Sequence, residues 1–367
     1  MKEVKKFDVV EIINHFKIYG HFKGAIKYGS GHINDTFLLI TTDDTKDFKY
    51  ILQRINNKLF SNVDALMNNI LLVTNYCKKS ILRLGGDPLK ETMTIITAKD
   101  GKPYYFDGEN YFRIFVFIEN SCSIDIVSDA EDFYRSAVSF GKFTKLLDGF
   151  DAKLLYDVLP SFHDTRIRLE NFKKAVEKDE FGRAAEVKEE IEYILGLSYL
   201  APLLYEKMEA GTIPLRVTHN DTKLNNILFD ATTKEALAVI DLDTVMSGCL
   251  AFDFGDSIRF GCNSASEDEK DLNKVYFKFD LYKAYAKGYL EVVGDFISQD
   301  ERLSLPLGAV LMTYECGMRF LTDYLEGDVY FKTSRPQQNL DRARTQLKLV
   351  KEMLDLFDDM EEVVLTY

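Results

Sequence analysis

The sequence predicts an α+β fold in two parts, a small antiparallel sheet with one inserted helix followed by a larger, mostly helical part. Three observations predict it. Strand-like segments dominate up to residue 118, turn-forming residues separate them, and helical periodicity dominates from Glu119 onwards. A hydrophobic content of 46% over 367 residues is sufficient for a sizeable core and suits one two-part unit or two ordinary domains.

The first part contains five predicted strands and one helix between the third and the fourth. A short amphipathic helix at about 8–19 precedes the strands, which are predicted at 22–28, 36–42, 48–55, 92–98 and 111–118. The inserted helix is predicted over about 62–79, because apolar residues recur there at helical spacing from Val63 to Val73.

The second part contains helices around one strand–loop–strand island at residues 215–243. Helical patterns extend over roughly 129–148, 164–178, 181–209, 273–293, 306–325 and 336–358. The boundary between the two parts is predicted near Glu119–Cys122. This boundary gives an N-terminal part of residues 1–120 and a C-terminal part of residues 121–367.

Composition disfavours several classes of protein. The formal net charge of −13 disfavours nucleic acid and anionic membrane surfaces as partners. No run of about 18 apolar residues occurs, and the N-terminal segment lacks an apolar signal region, so a cytoplasmic location is expected. The five cysteines are scattered without a CxxC pair, which indicates reduced thiols and not a disulfide framework or a zinc site.

The island contains the segment VTHNDTKLNNILF, residues 217–229. In it Asp221 precedes Asn226 by five residues, the spacing of kinase catalytic loops. In such a loop the Asp accepts the proton of the attacking hydroxyl group, and the Asn turns its amide oxygen onto a metal ion. Lys223 is placed to meet the negative charge of the transferred phosphoryl group, and His219 is interpreted as a buried histidine with its hydrogen bonds satisfied. A polar turn between two strands is the alternative.

Asp241 ends an apolar strand fifteen residues after Asn226, in the segment LAVIDLD. A carboxylate delivered by a strand one hairpin after the catalytic loop is where a kinase holds Mg²⁺, a hard ion that binds carboxylate oxygens and substrate phosphates. A lone strand that ends in Asp usually only starts a turn. Its occurrence together with the loop spacing favours the metal site.

The segments HNDTKLNNILF, VIDLDTVMSG and FDFGDSIRFG resemble the aminoglycoside phosphotransferase and choline kinase-like superfamily. Within that superfamily, YGSGHINDTF, YILQRIN, FIENS, SFHDT and CGMRFLTDYLEGDVYF make the sequence most similar to the N-acetylhexosamine 1-kinases. The resemblance extends from about residue 26 to 335. It implies a protein-kinase-like bilobal fold, ATP and Mg²⁺ as cofactors, and transfer of phosphate to an alcohol group, the anomeric (C1) hydroxyl of GlcNAc or GalNAc.

The resemblance also implies that residues 1–120 bind the nucleotide and that residues 121–367 carry catalysis and the substrate. It further implies roles for single residues. Asp221 would be the catalytic base and contact the substrate, with Lys223 beside it. Asn226 and Asp241 would be magnesium ligands, and Asp243 would be either a ligand of a second metal ion or a carboxylate that supports the first. In the same likeness Asp253 and His219 would brace the catalytic loop.

The nucleotide is expected at the loop GSGHIND and at the segment after the fifth strand. The loop lies between two strands, as a phosphate-covering loop does, although a plain hairpin turn is the alternative. The match assigns three of its residues to the nucleotide: Gly29, Ser30 and Gly31. Glu119 and Asn120 are assigned to the adenine edge, through backbone donors and acceptors. No GxxxxGK[ST] sequence occurs, which makes a P-loop enzyme unexpected.

The third strand departs from protein kinases, which carry there a lysine that pairs with the phosphates and with a helix glutamate. Here the segment YILQRI places Gln53 at that position, and the following helix offers no obvious glutamate partner. Two alternatives stay open. Either Gln53 hydrogen-bonds the phosphates without charge, or Arg54 serves them from another angle.

The sugar is expected at Arg319, with His32, Phe260 and Tyr330 in support. Arg319 lies on a predicted helix, and the fork of donors on a guanidinium group suits vicinal hydroxyl groups or an amide carbonyl. The aromatic rings would lie against the C–H face of the sugar or its acetamido methyl group. The alternatives are a surface arginine and two core aromatics.

Two other functions stay open. The same fold acting on a cationic small molecule, such as an aminoglycoside or choline, is favoured by the net charge, although the absence of Trp disfavours a choline-type cage. The other is a non-catalytic kinase-like binding protein. The intact Asp221, Lys223, Asn226 and Asp241 argue against it, and Gln53 argues for it.

Overall fold

The computed structural model describes residues 7–29, 33–124 and 129–367, and these form two compact units. The first unit consists of the described residues up to Cys122 together with Phe229–Asp243, and the second of those in Ser123–Leu228 and Thr244–Tyr367. The predicted division into functional parts 1–120 and 121–367 stays a prediction. The compact units follow it along the chain except at residues 229–243.

The first unit is built on a six-stranded antiparallel sheet. Its strands are β1 (His21–Lys27), β2 (Asp35–Thr42), β3 (Asp47–Ile55), β4 (Ile95–Ile96), β5 (Tyr105–Phe106) and β6 (Tyr111–Val116). They lie in the order β1–β2–β3–β6–β4, and β5 pairs with β6. All five predicted strands are present. The sequence did not indicate β5, because two residues are too few to show an alternating pattern.

The two faces of this sheet carry different side chains. One face packs with α1 (Val9–Ile13) in a buried apolar cluster that includes Leu52 and Phe112. Because side chains alternate along a strand, the neighbouring residues Gln53 and Arg113 point to the other face. There they lie opposite each other in the register of β3 and β6, next to α2 (Val63–Arg83).

Two predictions for helices of this unit need correction. The helix predicted over 8–19 ends at Ile13, because Phe16 pairs with Ala98 in an isolated β-bridge and the chain is extended there. A one-turn helix, α3 (Pro88–Glu91), follows α2 and was not predicted.

Two smaller sheets flank the predicted island. β7 (Ser121–Cys122), β9 (Ile227–Asp230) and β10 (Ala236–Val239) form one of them, in the order β10–β9–β7. In the second unit β8 (Arg216–Thr218) pairs antiparallel with β11 (Met246–Gly248). Ser121 and Cys122 pair with Asp230 and Phe229, and this pairing joins residues 229–243 to the first unit.

The second unit is mostly helical, as predicted. Its helices are α4 (Ala130–Leu146), α5 (Thr165–Lys178), α6 (Lys188–Gly196), α7 (Leu203–Glu209), α8 (Leu250–Gly261), α9 (Phe279–Val293), α10 (Gln299–Leu325), α11 (Gln338–Asp355) and α12 (Phe357–Thr366). The single helix predicted over 181–209 is wrong, because α6 ends at Gly196 and α7 begins only after Pro202.

The helix predicted to begin at Pro306 begins seven residues earlier, at Gln299. Ser298 accepts a hydrogen bond from the backbone N–H of Glu301, and the Glu301 side chain accepts one from the backbone N–H of Ser298. This capping box starts the helix, and Pro306 lies inside it. None of the helices among the described residues is both long enough and apolar enough to cross a membrane.

Helices α8 and α10 approach each other closely at two glycines. A Cβ atom added to Gly308 would lie 2.1 Å from the carbonyl oxygen of Ala251, and one added to Gly255 would lie 2.2 Å from that of Gly308. A side chain at either position would force the two backbones apart. The close approach matters for function because α8 carries side chains that hold the segment between β8 and β9.

We predict that Gly308→Ala lowers the free energy of unfolding by about 1–3 kcal/mol, because the added methyl group overpacks the α8–α10 contact. Chemical denaturation followed by circular dichroism measures this. Gly196→Ala is the matched control, since a Cβ atom there meets nothing within 4 Å. Equal stability of the Gly308→Ala and Gly196→Ala proteins would show that the contact is not tight.

Candidate active site

The segment after β8 places Asp221 at the centre of a polar loop in the second unit. The Nζ atom of Lys223 lies 2.5 Å from Oδ1 of Asp221. The amide nitrogen of Asn226 donates to the backbone oxygen of Asp221 at 2.9 Å and to its Oδ2 atom at 3.1 Å. The structure therefore brings together the three residues that the loop spacing singled out.

A carboxylate of helix α8 supports this loop through hydrogen bonds to its backbone. Oδ2 and Oδ1 of Asp253 accept hydrogen bonds from the backbone N–H groups of His219 and Asn220, at 2.8 and 2.7 Å. Asn220 has φ = 63°, in the left-handed region that few non-glycine residues adopt. Burial raises the pKa of Asp253, and the hydrogen bonds only partly offset this effect. The contact expected of Asp253 as a brace is present.

His219 itself lies inside the unit. Its ring is fully buried and packs edge-on against Phe140 and Phe143, with ring centroids 5.8 and 6.1 Å away. Its Nδ1 atom accepts a hydrogen bond from the backbone N–H of Asp221 at 3.3 Å. The prediction of a buried histidine that braces the loop is confirmed.

A second carboxylate of α8 was missed by the sequence reasoning. Asp256 accepts a hydrogen bond from the backbone N–H of Thr222 at 3.1 Å and is paired with Arg259, which also contacts Glu267 at 3.1 Å. Burial would raise the pKa of Asp256, but the charges of Arg259 and Lys223 outweigh it and lower the pKa. The spacing of three residues between Asp253 and Asp256 was the available signal, since it places both on one face of a helix.

The same interactions keep Lys223 protonated. Burial alone would lower the pKa of Lys223. The nearby carboxylates of Asp221 and Asp256 more than compensate, so its pKa is raised. A cation is thereby held beside the carboxylate of Asp221.

A cavity of about 410 Å³ in the second unit opens beside Asp221 and Lys223. Arg319 and Phe260 also line it, so four predicted site residues share one cavity. The volume falls within the range of small-molecule sites. Phe260 is 42% exposed, which excludes the alternative of a core aromatic.

Arg319 lies among aromatic rings. Its guanidinium carbon lies 5.4 Å from the ring centroid of Phe331 and 5.9 Å from those of Phe162 and Tyr330. Within residues 7–29, 33–124 and 129–367, the guanidinium group of Arg319 makes no hydrogen bond and no ion pair. Tyr330 is 66% exposed and lines a neighbouring cavity of about 240 Å³ together with Arg319, and it is not among the residues that line the larger cavity.

The carboxylates that line the larger cavity all have partners. Asp221 is paired with Lys223, and Asp256 and Glu267 are paired with Arg259. Glu315, the fourth, contacts Nδ1 of His163 at 3.2 Å and accepts a hydrogen bond from Thr165 at 2.8 Å. The charges in this cavity that have no ion pair in the described chain are therefore positive, on Arg319 and Lys332.

The nucleotide residues predicted in the first unit lie at the ends of its strands. Gly29 follows β1 with φ = 75°, a conformation that favours glycine. Ser30, Gly31 and the sugar residue His32 lie outside the described residues. Glu119 is paired with Lys49 at 2.9 Å.

Asn120 joins the two sheets of the first unit. Its backbone has φ = 55°, its carbonyl oxygen accepts a hydrogen bond from the N–H of Ala231 at 2.8 Å, and its amide nitrogen donates to Asp230 at 3.1 Å. These groups of Asn120 are thus used within the unit. Its assignment to the adenine edge stays a prediction.

Gln53 makes hydrogen bonds with both ends of its amide group. Its nitrogen donates to Oγ1 of Thr36 at 3.1 Å, and its oxygen accepts from Nε of Arg113 at 2.9 Å. Arg54 points to the other face of the sheet, where it pairs with Asp35 and lies over the ring of Phe7. The alternative in which Arg54 serves the phosphates from another angle stays a prediction.

The two carboxylates after β10 differ in their surroundings. Asp241 is half-buried with φ = 59°, in the left-handed region. Asp243 is buried, and both of its oxygens are engaged. Oδ1 lies 2.6 Å from Nη1 of Arg113, and Oδ2 accepts a hydrogen bond from Asn34 at 2.7 Å. The Oδ1 atom has no hydrogen bond among the described residues, and the two alternatives for Asp243, a ligand of a second metal ion and a carboxylate that supports the first, both stay predictions.

Comparison with known proteins supports the kinase-like interpretation. Residues 126–287 match the model of the phosphotransferase enzyme family. The chain is similar to an aminoglycoside phosphotransferase from Alicyclobacillus acidocaldarius, with 11% identity and a TM-score of 0.64 over 100% of this chain and 98% of that one. It is similar to a choline kinase from Cryptosporidium parvum, with 17% identity and a TM-score of 0.52 over 94% and 92% of the two chains.

A third similar structure is a spectinomycin phosphotransferase solved with ADP and spectinomycin, with 15% identity and a TM-score of 0.52 over 97% of this chain and 96% of that one. At such identities these likenesses show the fold, and they confirm the predicted α+β, protein-kinase-like fold class. The match over residues 126–287 makes that part of the chain similar to the phosphotransferase enzyme family.

Proposed function

We propose that this protein is an ATP- and Mg²⁺-dependent kinase that phosphorylates the anomeric hydroxyl group of an N-acetylhexosamine. One observation carries the proposal. A single cavity of about 410 Å³ has the carboxylate of Asp221 and the ammonium group of Lys223 at its wall, together with a guanidinium group, that of Arg319, that has no acceptor in the described chain.

Asp221 has the position of a general base. When an acceptor hydroxyl group lies beside its carboxylate, the hydroxyl oxygen forms a bond to the γ-phosphorus, the bond from that phosphorus to the β-phosphate oxygen breaks, and the proton passes to Asp221. The brace from Asp253 holds the loop before the acceptor arrives, so that little reorganisation is required. Lys223, kept protonated by its neighbours, stabilises negative charge on the phosphoryl group.

The acceptor would be held by the rest of the cavity. A guanidinium group offers five N–H donors in a planar fork, which suits the vicinal hydroxyl groups of a hexose or the carbonyl oxygen of an acetamido group. The exposed ring of Phe260 and the ring of Phe331 supply apolar surface for the C–H face of the sugar. Arg319 and these rings would therefore select the hydroxyl group that reaches Asp221.

The residues proposed for the cofactors have suitable chemistry. Carboxylate and amide oxygens are ligands that Mg²⁺ accepts, and the Oδ1 atom of Asn226 receives no hydrogen bond from any described residue. We propose Asn226 and Asp241 as the magnesium ligands, with Asp243 in support. Mg²⁺ would supply positive charge against the phosphates. Use of ATP is supported by the ADP bound to the similar spectinomycin phosphotransferase.

The charges of the cavity disfavour the cationic alternative. An aminoglycoside would require carboxylates without a partner, whereas each of the four that line this cavity has one, and Arg319 and Lys332 would repel any cation. The non-catalytic alternative is disfavoured by the contact of Asp221, Lys223 and Asn226.

An acceptor screen with Mg-ATP tests the proposal. GlcNAc, GalNAc, glucose, kanamycin and choline are incubated separately, and ³¹P NMR locates the phosphate of each product. We expect hexosamine 1-phosphate from GlcNAc or GalNAc. Phosphorylation of kanamycin or choline without any reaction of the two sugars would contradict the proposal, and nucleotide binding without turnover of any acceptor would favour the non-catalytic alternative.

We predict that Asp221→Asn lowers kcat by about 10²–10⁴-fold, because the amide cannot accept the proton of the hydroxyl group. Binding of Mg-ATP, measured by calorimetry, should stay close to that of the parent protein. The amide keeps the size of the side chain, so the thermal midpoint serves as the folding control. Near-normal turnover of the folded variant would remove Asp221 from the mechanism.

We predict that Arg319→Ala lowers kcat/KM for the sugar roughly ten- to a hundredfold, which corresponds to about 1.5–3 kcal/mol for the loss of a charged hydrogen-bond donor. ATP affinity should not change. Arg319→Lys should recover only part of the loss, because an ammonium group lacks the planar fork. Arg344→Ala, which removes a guanidinium group paired with Glu190, is the matched control. Unchanged sugar kinetics in Arg319→Ala would contradict the assignment.

A further inference from the structure

Protein kinases carry a lysine on the third strand of the sheet, one hairpin after the phosphate-covering loop. Here that position holds the neutral Gln53. We propose that Arg113 of β6 replaces the missing lysine as a positioning residue. It is the buried cation that holds Asp243 and thereby fixes the turn that presents Asp241. This inference rests on the proposed use of Mg²⁺ and ATP, and it adds a residue to which the sequence comparison assigned no role.

The strand register brings Arg113 to the position of the missing cation. Arg113 lies directly opposite Gln53 in the antiparallel pair of β3 and β6, so the two side chains share one face of the sheet. Nε of Arg113 donates to the amide oxygen of Gln53 at 2.9 Å. Gln53 is in turn held by Thr36 of β2. The positive charge therefore lies on β6, the strand next to β3, and the hydrogen bond to Gln53 orients the guanidinium group.

The buried guanidinium group of Arg113 is paired with one carboxylate, that of Asp243. Its side chain is 2% exposed, and the side chain of Asp243, whose Oδ1 atom lies 2.6 Å away, is 4% exposed. Two further neighbours of Arg113 carry no charge. They are the sulfur of Met67, at 3.7 Å, and the ring of Phe115, whose centroid lies 5.2 Å from the guanidinium carbon. A buried charge requires a partner of opposite sign, and among the described residues Asp243 is the carboxylate paired with Arg113.

Asn34 completes the support of Asp243 from the other side. Its amide nitrogen donates to Oδ2 of Asp243 at 2.7 Å, and its amide oxygen accepts from the backbone N–H of Asn56 at 2.9 Å. Asn34 belongs to the loop that was predicted to cover the phosphates. Two cross-links, one from β6 and one from this loop, therefore meet on a residue two positions after Asp241.

Such support has a purpose at Asp241. That residue adopts φ = 59°, and an isolated chain populates the left-handed region rarely, so the conformation needs to be held by its surroundings. Buried ion pairs often contribute little net stability, and their best-attested use is to fix one arrangement among several. We expect Arg113 to fix the arrangement of Asp241, with Mg²⁺ and nucleotide binding as the properties that respond.

Variants that remove the positive charge from position 113, or move it to position 53, test the proposal. Four proteins are compared: the parent, Arg113→Met, Arg113→Lys and the double variant Gln53→Lys/Arg113→Gln, which returns the charge to β3. Nucleotide binding is measured with a fluorescent ATP analogue at a series of Mg²⁺ concentrations and in EDTA, without any acceptor. Arg54→Met is the matched control, because it removes a guanidinium group from β3, the strand of Gln53, on the opposite face of the sheet.

We predict that Arg113→Met raises the Mg²⁺ concentration for half-maximal nucleotide binding at least tenfold. Arg113→Lys and the relocation variant should each recover most of that loss. Binding in EDTA should be the same in all variants, and Arg54→Met should have the Mg²⁺ requirement of the parent. The thermal midpoint of each variant reports folding separately.

Two results would overturn the proposal: a folded Arg113→Met protein with the Mg²⁺ requirement of the parent, or a folded relocation variant that binds no better than Arg113→Met. If Arg113→Met does not fold, the relocation variant decides alone, since it keeps one cation on this face. It should then bind within about tenfold of the parent, and a folded variant without Mg²⁺-dependent binding would refute the role. Failure of the acceptor screen would contradict the sugar specificity while leaving this result unchanged.

Discussion

Two consecutive backbone N–H groups, those of His219 and Asn220, donate to the single carboxylate of Asp253. Buried N–H groups without acceptors would each be costly, by roughly 1–3 kcal/mol, so this contact decides which conformation the loop adopts. It holds Asn220 in the left-handed region and turns the chain so that Asp221 faces the cavity. The position of Asp253 depends in turn on the glycine contact between α8 and α10.

In both units, charged side chains in the interior are paired with neighbours of opposite charge. In the second unit, Lys223 stays protonated between Asp221 and Asp256, and Arg259 balances the latter. In the first unit, one buried cation, Arg113, is matched with one buried carboxylate, Asp243. The described carboxylates of these two clusters are neutralised within their own units. The guanidinium group of Arg319, by contrast, has no acceptor among the described residues.

Glutamine at the position of the usual lysine is explained by this distribution. From the sequence alone, Gln53 indicates that the usual positive charge is missing, because the sequence shows only which residue occupies the expected position. In the folded unit the charge comes from Arg113, sixty residues later in the sequence and opposite Gln53 in the sheet. Gln53 then has the donor and the acceptor that this arrangement requires, one for Thr36 and one for Arg113.

The sequence by itself determined most of the strands and helices, although not α8, and the residues of the catalytic loop. It did so because both depend on local pattern: the period of apolar residues sets each element, and the separation of five positions between Asp221 and Asn226 sets the loop. It failed where distant residues decide, as at the start of α10, the end of α1 and the break between α6 and α7. Only the tertiary structure decided that Arg54 and Arg113 lie on opposite faces of the sheet and that Asp256 joins Asp253 under the loop. It also decided that Arg319 and Lys332 are the cations of the cavity without an ion pair among the described residues. Those outcomes depend on strand register and helix packing, which join residues far apart in the chain and which no local spacing records.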